Sequence, residues 1–374
     1  MSFIRINIYI SRPMTKQVLN SMCNIGVKDY NIIAGRLPLL EEKSNKGGFL
    51  SLLFSGSNLV DEPIDIVQFL VPEDKEDSVL KYLIAEGDLV RRGTIYSENV
   101  DMPKANKHCL VNHIHEVPSA PEVDMLNEIT GVCCIVQRGQ GQIIAEAVLE
   151  SGLGAPNVTY GEGTGVRDKM GLLRITIPAE KELVWMTSST YDIDVVMDTL
   201  IKAGKLDQPG KGFIYTFPLR KGLLNMQVSR GSQRSAANME QIVSALDHLQ
   251  GGIEWRKRES TSEANRTYLN DLIDFTLICD EGGADELVPV AMAAGAAGAT
   301  ITKMKHVGES AGIGEMENYL SRSRESCEMI VSKEVSDSII QALEGVDAFG
   351  DKFHSQILIH NTEKAFTYLG APKK

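Results

Sequence analysis

The stretch Ala203-Gly204-Lys205-Leu206-Asp207-Gln208-Pro209-Gly210-Lys211-Gly212, followed by an apolar run, is the segment of this chain best suited to hold an anion. Glycines let backbone amides approach a phosphate unobstructed, and two lysines add charge at the same place. Gly204, Lys205, Gly210, Lys211 and Gly212 are therefore the candidate nucleotide-binding residues. The pattern is not a P-loop, because no Ser or Thr follows Lys211 and a strand is predicted next, where that motif needs a helix. A tight helix-to-strand turn reads the same residues equally well. A second cluster comprises His108, Cys109, His113, His115 and Glu116. In extended chain His113 and His115 project to one side, as metal ligands could, but the spacing of a closed metal site is missing, and packed or solvated histidines in a connector are the alternative. The other histidines join no Ser/His/Asp or Cys/His arrangement, so no catalytic residue is assigned and the chain is read as a non-enzyme.

The elements that would position these groups recur along the chain. Strands are predicted at 4–10, 131–137 and 274–280, each followed by a helix (14–25, 142–151, 284–294) closed by Gly26, Gly152 or Gly295 at the left-handed position past a helix end. The interval from Gly26 to Gly152 also carries Asn31 onto Asn157, Ile32 onto Val158 and Gly35 onto Gly161. The interval from Gly152 to Gly295 carries residues 213–215 onto 356–358. Third strands at 64–71, 182–187 and 327–332 and second helices at 73–85, 191–203 and 335–345 complete the order βαββαβ three times.

The expected fold is therefore α+β. Three tandem ferredoxin-like units are predicted at 1–103, 128–220 and 269–374, with connectors at 104–127 and 221–268. The second connector holds an amphipathic helix, 236–250, with Met239, Ile242, Val243, Leu246 and Leu249 along one face. Runs such as 133–136 and 183–186 are apolar on both faces, so the sheet face without helices must be buried against a neighbouring sheet.

Composition narrows the classes of function. A net charge of −12 without a basic block argues against nucleic acid as a general partner, and there is no apolar run long enough to enter a membrane. The N-terminus lacks the pattern of a signal peptide, so a cytoplasmic protein is expected. The six cysteines form no C-x-x-C and are read as reduced, mostly buried thiols, with Cys133 and Cys134 on opposite faces of their strand.

The Gly-Lys loop followed by Phe217-Pro218-Leu219, together with CIVQRGQGQIIAEAVLESGLGAPNVTYGEGTG in the middle of the chain and AMAAGAAGATI further on, resembles the nitrogen-regulatory PII signalling family. That resemblance implies a trimer-like closure, here within one chain as a pseudo-trimer. It implies ATP or ADP bound in a cleft between units, and a mobile loop that grips a target protein such as a transporter or an enzyme. Gly161, Gly163, Gly165, Arg167 and Lys169 fall at the start of that loop, and Arg220, Lys221 and Arg230 stand in for the family's arginine-rich segment. The corresponding loops near Asp88 and Asp347 are acidic and would repel phosphate. A metal-handling or enzymatic protein on the same scaffold, or a ligand-free structural trimer, are the alternatives.

Overall fold

Strand alternation sorts side chains between two environments. In the first strand Ile4, Ile6, Ile8 and Ile10 pack under helices, whereas Arg5, Asn7 and Tyr9 face the opposite side. The computed structural model describes residues 2–41, 58–107, 111–165, 179–224, 229–230, 266–308 and 320–369. In chain order its elements are β1 (Ser2–Ser11), α1 (Thr15–Asn24), β2 (Tyr30–Glu41), β3 (Asn58–Val71), α2 (Glu76–Glu86), α3 (Leu89–Arg92), β4 (Gly93–Asp101), β5 (Ile129–Gln137), α4 (Gly141–Ser151), β6 (Asn157–Gly165), β7 (Glu180–Ser189), α5 (Ile193–Gly204), β8 (Gly212–Pro218), β9 (Lys221–Leu224), β10 (Ser229–Arg230), β11 (Leu272–Asp280), α6 (Gly283–Ala293), β12 (Gly298–Gly308), β13 (Leu320–Ser332), α7 (Lys333–Gly345), β14 (Gln356–Asn361) and β15 (Ala365–Thr367).

All fifteen strands belong to one sheet. Hydrogen bonding runs β2-β3-β1-β4-β14-β11-β13-β12-β6 and returns from β6 to β2, closing a nine-strand antiparallel barrel. From β6 the sheet continues through β7, β5, β8 and β15. The expected fold class, three tandem ferredoxin-like βαββαβ units in a PII-like pseudo-trimeric arrangement, is thereby corrected, and with it the reading of the chain as a tandem repeat.

The reason is the fate of the edges. A unit standing alone would leave two strands with unpaired backbone groups. Here β2 pairs with β12 through Lys305↔Ile32 to Val307↔Tyr30, β12 pairs with β6 through Gly298↔Gly165 to Ile301↔Glu162, and β4 meets β14 at Asp101↔Ile359. Short crossings cover what remains. β9 lies on β4, β15 lies on β8, and the Asn106 side chain exchanges two hydrogen bonds with the Ile357 backbone, at 2.8 and 2.9 Å. Lys221–Leu224, expected in a connector, is thus part of the sheet.

Helix ends follow the sequence reading. Gly26, Gly152 and Gly295 all have positive φ, at 88°, 69° and 122°. At Gly26 space is also decisive, since a Cβ would lie 2.6 Å from the carbonyl of His113 in the chain packed over it. The expected helix 236–250 lies outside the described residues. No helix among the described residues is long and apolar enough to cross a membrane.

Four layers of buried side chains result. Three lie between sheet and helices: one under α1 and α2, one under α4 and α5, one under α6 and α7. The fourth fills the enclosed side of the sheet, with Tyr9, Leu37, Ile64, Tyr96, Cys133, Leu183, Tyr215, Phe217 and Leu358. Cys133 belongs to this inner layer and Cys134 to the helix-covered one, while Cys23 is exposed.

Candidate functional site

At the Gly-Lys loop the backbone closes on itself. α5 ends at Gly204, and Lys205 takes the left-handed conformation with φ 51°. The amides of Lys205, Leu206, Gln208 and Lys211 donate to the carbonyls of Lys202, Ile201, Lys205 and Gln208. The carbonyls of Gly210 and Gly212 accept from Gln137 Nε2 and Thr367 Oγ1, both at 2.9 Å. Gly204 is small because Leu206 and Ile144 crowd it, and a Cβ on Gly212 would run into the Ile135 carbonyl. Asp88 and Asp347 hold the same left-handed step, φ 53° and 52°, ahead of buried Leu89 and Ala348. The shared geometry is that of a helix-to-strand turn, and the amides of Lys205, Leu206, Gln208 and Lys211 are used within it.

The other sequence-selected residues separate. Gly161, Gly163 and Gly165 lie within β6; a Cβ on Gly161 would come 3.0 Å from the Ile301 carbonyl of β12, and one on Gly163 would run into the Lys181 side chain of β7. Arg167, Lys169 and His108 lie outside the described residues. The rings of His113 and His115 are exposed, 6.0 Å apart at 84°, and among the described residues no group of three or more His, Cys, Asp or Glu side chains is placed to hold a metal. Arg220 is committed to Glu76 (2.9 Å) and Glu73 (3.0 Å), and Lys221 to Asp77 (2.6 Å). Arg230 lies in β10.

A cationic cluster forms instead around β12, which pairs with β13 on one side and with the start of β2 on the other. Arg322 and Arg324 alternate on β13, so both project to one side. Arg324 is buried and Arg322 half exposed, and both turn to the same carboxylate: Arg324 Nε lies 3.5 Å from Asp280 Oδ1 and Arg322 Nη1 lies 3.7 Å from Asp280 Oδ2. Arg324 Nη2 also donates to the His354 carbonyl, and His354 Nδ1 stands 2.8 Å from Asp280 Oδ2. The Arg324 Nε–H has no hydrogen-bond acceptor, and Asp280 Oδ1 accepts none. Burial lowers the Arg324 pKa, with Asp280 acting the other way.

Opposite, Asp29 at the entry to β2 and Asn31 within it face the arginines. Asn112 holds that strand's entry, its Oδ1 accepting from the amides of Lys28 (2.8 Å) and Asp29 (2.9 Å). His306 Nδ1 lies 3.0 Å from Asn31 Oδ1, and Nε2 faces Asp29 Oδ2 at 3.5 Å. Burial raises the Asp29 pKa to about 7, against the pull of Arg324 and Arg322. Burial and the same two arginines lower His306 to about 4. Between about pH 4 and 7 Asp29 and His306 are both uncharged.

The enclosed side of the sheet carries a second charged set that its apolar runs did not announce. Arg5 Nε donates to Glu98 Oε1 (2.8 Å), Asn7 Nδ2 donates to the same oxygen (2.5 Å), and His360 Nδ1 is 3.3 Å from Oε2. Against its burial, Arg5 and then His360 hold the Glu98 pKa down to about 2. Asp274 accepts from Tyr215 (3.0 Å) and Thr276 (3.2 Å), and burial raises its pKa. Glu328 Oε2 is enclosed without a partner, and burial and then Asp274 lift this group to about 8.

Equivalent positions of β3, β7 and β13 have a structural duty. Glu182 Oε2 accepts from the amides of Gly139 (2.9 Å) and Gly141 (2.8 Å), and Glu325 Oε2 from those of Gly282 (3.1 Å) and Ala284 (3.0 Å). Asp65 holds Thr15 (2.7 Å) and Arg12 (3.2 Å) at the start of α1. Each carboxylate faces the positive end of a helix.

No protein-family model and no curated protein sequence matches the chain. Among solved structures, the PII protein of Arabidopsis thaliana bound to citrate is similar at 17% identity and a TM-score of 0.20, over 25% of this chain and 79% of that one. The aspartate kinase of Synechocystis is similar at 9% identity and a TM-score of 0.20; the match covers 95% of this chain, which spans 44% of the kinase. At such TM-scores neither likeness carries an argument about fold or function.

Proposed function

We propose that this protein is a regulatory ligand-binding protein that takes a small anion at the Arg322–Arg324 cluster beside β12. The observation that carries the reading is the convergence of Arg322 and Arg324 on the single carboxylate of Asp280, with the buried Nε–H of Arg324, 3.5 Å from Asp280 Oδ1, making no hydrogen bond. A buried donor on a charged group without an acceptor is costly, and an incoming carboxylate or phosphate oxygen relieves that cost. Guanidinium groups are suited to such planar, two-oxygen recognition. The cluster lies on a seam that closes the barrel, so a ligand there bridges strands far apart in sequence and favours one arrangement of the seam, which is how binding would reach a protein target.

ATP and ADP are the ligands to try first, since each brings several phosphate oxygens, and the Gly-Lys loop is the competing location. Calorimetry with ATP, ADP and inorganic phosphate at low ionic strength tests the proposal. Saturable heat with at least one of them supports it, and no heat with any of them refutes it.

A further inference from the structure

The carboxylate at the centre of the cationic cluster is divided between two kinds of partner. Asp280 closes β11 opposite Arg324, with its backbone anchored where its amide donates to the Phe353 carbonyl at 3.0 Å. Its side chain is 28% exposed, against 6% for that of Arg324. A guanidinium in a full bond to a carboxylate approaches to about 2.7–2.9 Å. Arg324 Nε stops 3.5 Å from Oδ1 and Arg322 Nη1 3.7 Å from Oδ2, whereas His354 Nδ1 reaches Oδ2 at 2.8 Å. An ionised carboxylate only accepts, so the histidine donates.

The charge of Asp280 therefore offsets the arginines, while its short hydrogen bond goes to the histidine. Asp280 Oδ1 and Arg324 Nε–H face each other and form no bond. A counter-ion with a purely structural duty would close that gap, because a buried charge is stabilised only when its hydrogen bonds are also made. Nor does Arg324 rely on Asp280 for its placement, since its Nη2 donates to the main-chain carbonyl of His354.

We infer that Asp280 is a built-in occupant of the anion site, an autoinhibitory carboxylate that an incoming anion displaces from the two arginines toward His354. The exchange leaves every partner satisfied. Anion oxygens take the Arg324 Nε–H and the Arg322 guanidinium, Arg324 keeps the His354 carbonyl, and Asp280 keeps the His354 ring. In the empty site Asp280 spares buried Arg324 an uncompensated charge; in the occupied site its own charge repels the ligand and lowers affinity. The inference rests on the anion reading and adds the regulation of that site.

Calorimetry with ATP, ADP and inorganic phosphate on wild type, Asp280→Asn and His354→Phe tests it. Asp280→Asn keeps the shape and an acceptor for the histidine but loses the charge, and should bind roughly tenfold or more tightly than wild type. His354→Phe keeps the carbonyl that holds Arg324 and removes the ring that draws Asp280 away, so it should bind about threefold or more weakly. Because it retains all three charges of the cluster, it decides the matter even if Asp280→Asn disturbs folding. Wild-type binding that Asp280→Asn does not improve, or that His354→Phe does not weaken, overturns the inference and leaves the anion reading standing. No heat from any of the three proteins overturns both.

Discussion

Replacing Glu328 by glutamine should stabilise this protein in mildly alkaline solution. The Glu328 pKa is raised from an ordinary 4.5 to about 8 by burial and by the charge of Asp274, with Arg5 opposing. The folded protein therefore holds a proton that the unfolded chain has released between those two values. The stabilising contribution is complete below about pH 4.5, declines as the pH rises through the window, and is gone above about pH 8. The slope is at most about 1.4 kcal/mol per pH unit, which sets a ceiling of about 5 kcal/mol across the window. Water reaching the partly open side chain reduces this to roughly 2–4 kcal/mol. Glutamine keeps the shape and cannot ionise. Urea denaturation of both proteins at about pH 5, 7 and 9 is the assay. The variant should match the wild type within about 1 kcal/mol at the lowest pH and exceed it by roughly 2–4 kcal/mol at the highest. Parallel stability profiles, or a variant weaker at about pH 9, would refute the reasoning.

Anion binding should be linked to Asp29. Ionisation of a group with a pKa of about 7 adds negative charge to the cluster, so affinity should fall above neutrality, by at most about tenfold per pH unit, and Asp29→Asn should flatten the profile measured by calorimetry. Glu182→Gln should cost about 1–3 kcal/mol in urea denaturation, because a carboxylate that accepts from the Gly139 and Gly141 amides and lies 3.4 Å from Arg36 becomes neutral. Gly222→Ala should cost about 2 kcal/mol or more, since its Cβ would meet the Ile95 carbonyl and come 2.7 Å from Tyr96 Cβ; faster amide exchange in β4 should accompany the loss.

Much of the local structure was legible. Alternation in β1 marked which residues face helices, and the glycines at 26, 152 and 295 marked helix ends because the left-handed conformation suits few other residues. The closed barrel was not legible, since the β2–β12 and β6–β12 pairings join segments far apart in sequence and backbone hydrogen bonds leave no mark on residue type. Apolar runs such as those of β5 and β7 pointed to a buried second face, but Arg5, Glu98, Asp274 and Glu328 share that face and read singly as surface charges. At the candidate site the glycine and lysine content of residues 204–212 matched phosphate binding and turn geometry alike, and the turn uses the amides of Lys205, Leu206, Gln208 and Lys211. The arginines at 322 and 324 carried a readable signal, two like charges at strand spacing. Their meaning depended on Asp280, His354 and Asp29, which only the fold brings together.

The most direct test of the anion site is a side-by-side calorimetric titration of wild type, Arg324→Gln, Arg322→Gln and Lys211→Ala with whichever of ATP, ADP or phosphate binds the wild type. Arg322 is half exposed, so its variant reports on binding even if removal of buried Arg324 disturbs folding. Each arginine variant is expected to lose at least tenfold in affinity, about 1.4 kcal/mol or more, while Lys211→Ala stays within about twofold of wild type. Undiminished binding in both arginine variants, or a loss confined to Lys211→Ala, would contradict the account and return the ligand to the Gly-Lys loop.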